Sequence, residues 1–156
     1  MAASGDQVSR GPSQAAAVTT SFDDFTKEII GKLFDGGSKI FDVKLLHIPV
    51  LPGGSASTLL YVRFEMNPIN PRRIFDVPAA MAYIVKEACS SNLSWNSIKV
   101  AGATFDQDSY GNAVGYVDHV WGVFDRNKVA KIQWTTFHNM DLLLIAEQFE
   151  GASWFH

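Results

Sequence analysis

One arrangement occurs twice in this chain and limits what it can fold into: an amphipathic helix followed by two strand-like segments. Ser21 offers a hydroxyl cap, with Asp23 and Asp24 in the first turn, where acidic groups favour a helix N-terminus. Phe22, Phe25, Ile29 and Leu33 then fall on one helical face, and Gly36-Gly37 supplies a stop. Asp76 to Ser90 repeats the pattern. Pro78 suits a first turn, and Val77, Met81, Ile84, Val85 and Ala88 line up on one face. The two units are topologically alike but barely match in sequence.

The strands declare themselves by alternation. Phe41, Val43 and Leu45 alternate with Asp42 and Lys44, and the period slips at Leu46-His47-Ile48, which suggests a bulge or a strand buried on both faces. Pro49, Pro52, Gly53 and Gly54 end this segment. In the next, Leu60, Val62, Phe64 and Met66 face one way, and Tyr61, Arg63 and Glu65 the other. Ile98 to Phe105 and Ala113 to Phe124 form a third and a fourth strand around the polar turn Asp106 to Asn112. After a turn at Asp125-Arg126-Asn127-Lys128, Val129 to about Thr136 reads as a last strand. Asn139 to Phe149 reads as a third helix, although Leu142 to Ile145 is apolar all round and also suits a buried strand.

These readings give the order α-β-β-α-β-β-β-α. Short hairpin connections dominate, so the sheet should be mainly antiparallel, with about five strands and helices on one face. The class is α+β in a single domain, residues 21–151. Phe25, Leu60, Val62, Phe64, Met81, Ile84 and Val120 form the expected core. Residues 1–20, rich in Ala, Ser, Gly, Gln and Thr, read as a flexible arm, and 152–156 as an aromatic tail. With 156 residues and 47% hydrophobic content, the chain needs no metal or disulfide to hold a core.

Composition excludes several functions. A net charge of −3 argues against general nucleic-acid binding. Cys89 is the single cysteine, so there is neither an internal disulfide nor a cysteine-rich zinc site. No apolar run approaches the ~20 residues that span a bilayer. The first residues lack the basic and apolar parts of a signal peptide, which points to a cytoplasmic protein.

Candidate chemistry is sparse. Asp106-x-Asp108-x-Tyr110-Gly111 resembles the opening of a calcium loop, but Tyr110 and Val117 stand where oxygen ligands belong, so it reads as a polar turn. Cys89 near a helix C-terminus meets the wrong end of the dipole for an activated thiol, which makes it structural. Phosphate-binding, dinucleotide and hydrolase signatures are missing, and the sequence implies no cofactor, no metal and no catalytic set. Tyr116, Asp118, His119 and Trp121 in the longest strand are the candidate ligand-contacting residues. Regular alternation puts Asp118 with Tyr116 and Val120, and His119 with Val117, Trp121 and Val123, so Asp118 and His119 cannot form a side-chain dyad. Arg72, Arg73, Trp154 and Phe155 are candidate partner contacts, because guanidinium and aromatic groups concentrate binding energy.

The reading that follows is a non-catalytic interaction or assembly subunit, with a protein partner or further copies of itself. One alternative is a small-molecule-binding domain or enzyme with a pocket between sheet and helices. Another is a bacterial or viral effector or inhibitor.

Overall fold

A computed structural model describes residues 21–31, 39–49, 52, 57–66 and 76–151. The arm at 1–20, Arg72, Arg73 and the aromatic tail at 152–156 lie outside these residues. The described elements are α1 (21–29), β1 (Ile40–Ile48), β2 (Ser57–Glu65), α2 (Asp76–Ser90), β3 (Ser97–Gln107), β4 (Ala113–Asp125), α3 (Arg126–Val129), a 3-10 turn (Asn139–Asp141), α4 (Leu142–Ile145) and β5 (Gln148–Glu150).

The five strands form one sheet in sequential order, β1-β2-β3-β4-β5. The β2–β3 pair is parallel, because α2 carries the chain back across the sheet between them. The other three pairs are antiparallel. The α+β class and the mainly antiparallel five-stranded sheet are therefore as the alternation predicts. Among the described residues, no helix is long and apolar enough to cross a membrane.

The core lies on one sheet face. Leu60, Val62 and Phe64 of β2, Ile98 and Val100 of β3, and Val120 and Phe124 of β4 pack against Phe25 and Ile29 of α1 and Met81, Ile84 and Val85 of α2. All seven core residues expected from the sequence are buried. Close approach on this face depends on small residues. A Cβ on Gly102 would lie 2.6 Å from the Met66 sulfur and 2.9 Å from Val120, so no larger residue fits without a shift.

The last quarter of the domain differs from the alternation reading. Asp125 does not simply turn the chain. Its carboxylate accepts the amide protons of Asn127 (2.8 Å) and Lys128 (3.3 Å) and caps the single-turn helix α3. The expected strand from Val129 to Thr136 is absent. Val129 is fully buried at the end of α3, and turns follow it to Phe137. The apolar residues there pair at a spacing of three, Val129 with Ile132 and Trp134 with Phe137, which suits successive turns rather than a strand. The Trp134 and Phe137 rings meet edge to face at 5.7 Å.

The third helix also ends early. Leu142–Ile145 is helical, Ala146 turns extended, and Glu147 N–H donates to Val123 O at 2.8 Å to start β5 along β4. The fifth strand is thus Gln148–Glu150. Phe149 lies opposite Gly122, where an added Cβ would come within 2.9 Å of the Phe124 ring. The slip at Leu46-His47-Ile48 is not a bulge either. Pairing with β2 is regular from Asp42 to Ile48, and the irregularity falls between Ile40 and Asp42.

Phe64 is 1% exposed at the centre of this core. Phe64→Ala should lower stability by about 3–5 kcal/mol in a urea titration, the range for a truncated core aromatic. A loss below ~1 kcal/mol would mean that this face of β2 is not the core.

Candidate functional site

The second sheet face is built by the side chains that point away from the core. Asp42 and Lys44 of β1 lie beside Arg63 and Tyr61 of β2, which lie beside Ala101 and Lys99 of β3. On β4 the same face receives Tyr116 opposite Phe105, Asp118 opposite Ala103, and Trp121 opposite Ala101. Tyr116, Asp118 and Trp121 cannot all share a face in a regular strand, because their spacing is two and then three. A β-bulge reconciles them. Gly102 pairs with Val120 and Ala103 with Asp118, so His119 is the extra residue of the bulge.

The bulge corrects the sequence reading of this strand. Asp118 does share a face with Tyr116, but Val120 turns into the core. Trp121 joins Asp118, and His119 leaves Trp121 for another neighbourhood. Three of the four candidate ligand residues are brought together, and His119 is not among them.

Asp118 sits at the centre of the network on this face. Arg63 Nε donates to its Oδ1 at 2.8 Å, and the Tyr61 hydroxyl donates to its Oδ2. Both side chains reach from β2 across β3 to β4, and they pass over Ala101 and Ala103, which are fully buried. Alanine is what makes the crossing possible, since a longer residue at either position would occupy the space. Arg63 also donates through Nη2 to Tyr116 O at 3.1 Å, and its Nη1 lies 3.6 Å from Asp42. Asp42 in turn lies 3.5 Å from the Lys44 ammonium.

Burial and hydrogen bonding act on Arg63 and Tyr61. Arg63 and Asp118 side chains are only 17% and 19% exposed. Burial works against the Arg63 guanidinium, but its bond to Asp118 more than offsets this and leaves its pKa above the ordinary value. Burial, followed by the bond to Asp118, pushes the Tyr61 phenol well above the ordinary tyrosine value.

Aromatic rings surround the network. Phe41 and Tyr116 stack at 4.1 Å, and Phe105 meets Tyr116 edge to face at 5.3 Å. Arg63 lies over Phe41 at 5.1 Å. The Lys99 ammonium lies 4.5 Å from the Trp121 ring centre and 5.1 Å from that of Tyr61. Phe105 and Tyr116 remain 54% and 36% exposed. The sequence names Tyr116, Asp118 and Trp121 but not Tyr61, Arg63, Lys99, Phe41 or Phe105. Tyr61 and Arg63 were legible as the polar side of β2, yet nothing local says which strand they meet.

His119 finds a different carboxylate. Its Nε2 lies 3.1 Å from Asp106 Oδ2, and Thr104 donates its hydroxyl to the other Asp106 oxygen. The His119 and Asp106 side chains are 30% and 33% exposed. His119 thus pairs with Asp106 and not with its neighbour Asp118, and a partner 13 positions away is invisible to strand periodicity.

The acidic turn is occupied with its own backbone. Asp108 accepts from Asn112 N (2.8 Å), Tyr110 N (2.9 Å) and Asn112 Nδ2 (3.2 Å). The Asn112 bonds first, then those of Tyr110 and Gly111, hold its carboxyl below the usual aspartate range. Asp106 is engaged by His119 and Thr104. Among the described residues, no group of three or more His, Cys, Asp or Glu side chains is placed to hold a metal. Cys89 is half-buried, and burial pushes its thiol up, with Arg126 acting in the opposite sense. That is the environment of an inert thiol.

No protein-family model, no characterised protein and no solved structure matches this chain.

The burial of the Tyr61 phenol, with its bond to Asp118, gives a pH signature. Its folded-state pKa is raised above the ordinary 10.0, so its contribution to stability is complete below pH 10 and is lost as pH rises above that value. Urea titrations at about pH 8 and about pH 11 should show a loss for the parent chain that is smaller in Tyr61→Phe. Equal losses in both would mean that neither burial nor the bond to Asp118 perturbs the phenol.

Proposed function

We propose that the protein is a non-catalytic interaction module that binds a protein partner through its second sheet face. The observation that carries this reading is the exposure of Phe105 and Tyr116 above a charge network that is already internally paired. Asp118 is engaged by two donors, so it is not a free base or nucleophile. What the face offers instead is rigid aromatic surface with mixed charge at its margin. Stacked rings lose little conformational freedom on binding, and aromatic residues dominate interface energetics. Lys99 adds a cation that, among the described residues, has no carboxylate partner.

An enzymatic reading is favoured by one observation, the Asp106–His119 pair. A carboxylate that orients an imidazole is the usual frame of a general base. Cavities of about 480 Å³ and 260 Å³ lie elsewhere, and neither is lined by Asp106, Asp118 or His119. The interaction reading is preferred because Asp118 is already engaged by Arg63 and Tyr61 while the Phe105 and Tyr116 rings stay open to solvent.

The test is affinity capture from the source cells with quantitative mass spectrometry. Phe105→Glu changes the second face at a half-exposed position, and Glu28→Ala on α1 serves as a control on the helix side. Partners captured by the parent chain should fall by roughly tenfold or more with Phe105→Glu, as expected for an aromatic anchor, and stay with the control. An unchanged set with Phe105→Glu would overturn this assignment of the binding face.

A further inference from the structure

A shallow, open cavity of about 480 Å³ lies beside α3 and α4, away from the second sheet face. Its walls are apolar: Ile132 and Phe137 from the turns after α3, and Leu144 and Ile145 from α4. Its polar groups are Lys128, Lys131 and Gln133, with no carboxylate in the lining. That charge pattern runs against the rest of a chain that carries 16 acidic and 13 basic residues.

The two lysines are not equivalent. Glu147 holds the Lys128 ammonium at 2.6 Å, and this bond keeps its pKa above the ordinary value. Among the described residues, Lys131 has no carboxylate partner. Leu144 is 81% exposed on a short helix whose neighbour Leu142 is fully buried, so its apolar side chain faces the cavity and solvent without a cover from the described residues.

We infer that this cavity binds an amphipathic carboxylate of the medium-chain fatty-acid class, with its head on Lys131 and its tail against Ile132, Phe137, Leu144 and Ile145. The volume lies within the usual range for small-molecule sites, which combine mostly apolar walls with a few polar groups that fix orientation. With Lys128 already paired to Glu147, Lys131 at the rim of an apolar hollow matches one anionic head on one apolar tail. A helical peptide would instead need several anchors along an extended groove. The Lys128–Glu147 pair fixes one wall, and the Gln133 amide adds a neutral donor beside the head.

The probe is decanoate, titrated by calorimetry into the full chain below the micelle-forming concentration, with decanol as the uncharged comparison. Decanoate should bind saturably at one site, and decanol roughly tenfold more weakly or less, the scale of one head-group contact. Lys131→Glu and Leu144→Asp should each weaken decanoate by about tenfold or more. Both positions are exposed, so both variants should keep the parent melting temperature. The proposal is overturned if decanoate shows no saturable binding, if decanol binds as well, or if neither substitution weakens binding. It is also overturned if only an acidic amphipathic peptide binds, or if decanoate binds only after deletion of residues 152–156, which would make the chain's own tail the occupant.

Discussion

The extra residue at His119 decides which side chains meet on β4. Without it, Val120 and Asp118 would point the same way, and either a valine would leave the core or a carboxylate would enter it. Both outcomes are costly. Burying an unpaired carboxylate costs far more than exposing a methyl group. The bulge resets the phase within one residue. Val120 stays at 0% exposure opposite Gly102, while Asp118 emerges opposite Ala103. A one-residue register change flips every later side chain, so Trp121 belongs to the second face for the same reason.

The two faces then follow different physical rules. The helix side is an apolar core with tight glycine contacts at Gly102 and Gly122, where added atoms would collide with Met66, Val120 or Phe124. The second face is held by crossing side chains. Arg63 and Tyr61 converge on Asp118 over a floor of two alanines, which ties β2 to β4 without help from the ladder between β2 and β3. Pairs this poorly exposed differ from surface ion pairs, because removing Arg63 takes from a half-buried Asp118 its charged hydrogen-bond donor. The network therefore holds the face rigid, and the exposed aromatic rings rest on it.

Much of this architecture was legible in the sequence. Alternation in β2 separated Leu60, Val62 and Phe64 from Tyr61 and Arg63 correctly, because its period is unbroken. The apolar face of α2 was equally clear. Failures came where a cap or a bulge overrides the alternation, or where the run has no period at all. Residues 129–136 alternate well enough to suggest a strand, yet the Asp125 cap and the buried Val129 commit the chain to a helical turn. The apolar run Leu142-Leu143-Leu144-Ile145 has no period to separate helix from strand, and the chain is helical there and extended just after it. The bulge at His119 leaves no local mark, so the partners of Asp118 and of His119 could only be found in three dimensions.

The account stands on Asp118 facing Arg63 across β3. A double-mutant cycle measures this directly: Arg63→Ala, Asp118→Ala and the double variant, each unfolded in urea. A bulged β4 predicts a coupling energy of about 1–3 kcal/mol, the scale of a hydrogen bond between charged groups. Additivity within about 0.3 kcal/mol would show that Asp118 and Arg63 do not meet, and would contradict the bulge and the face built on it.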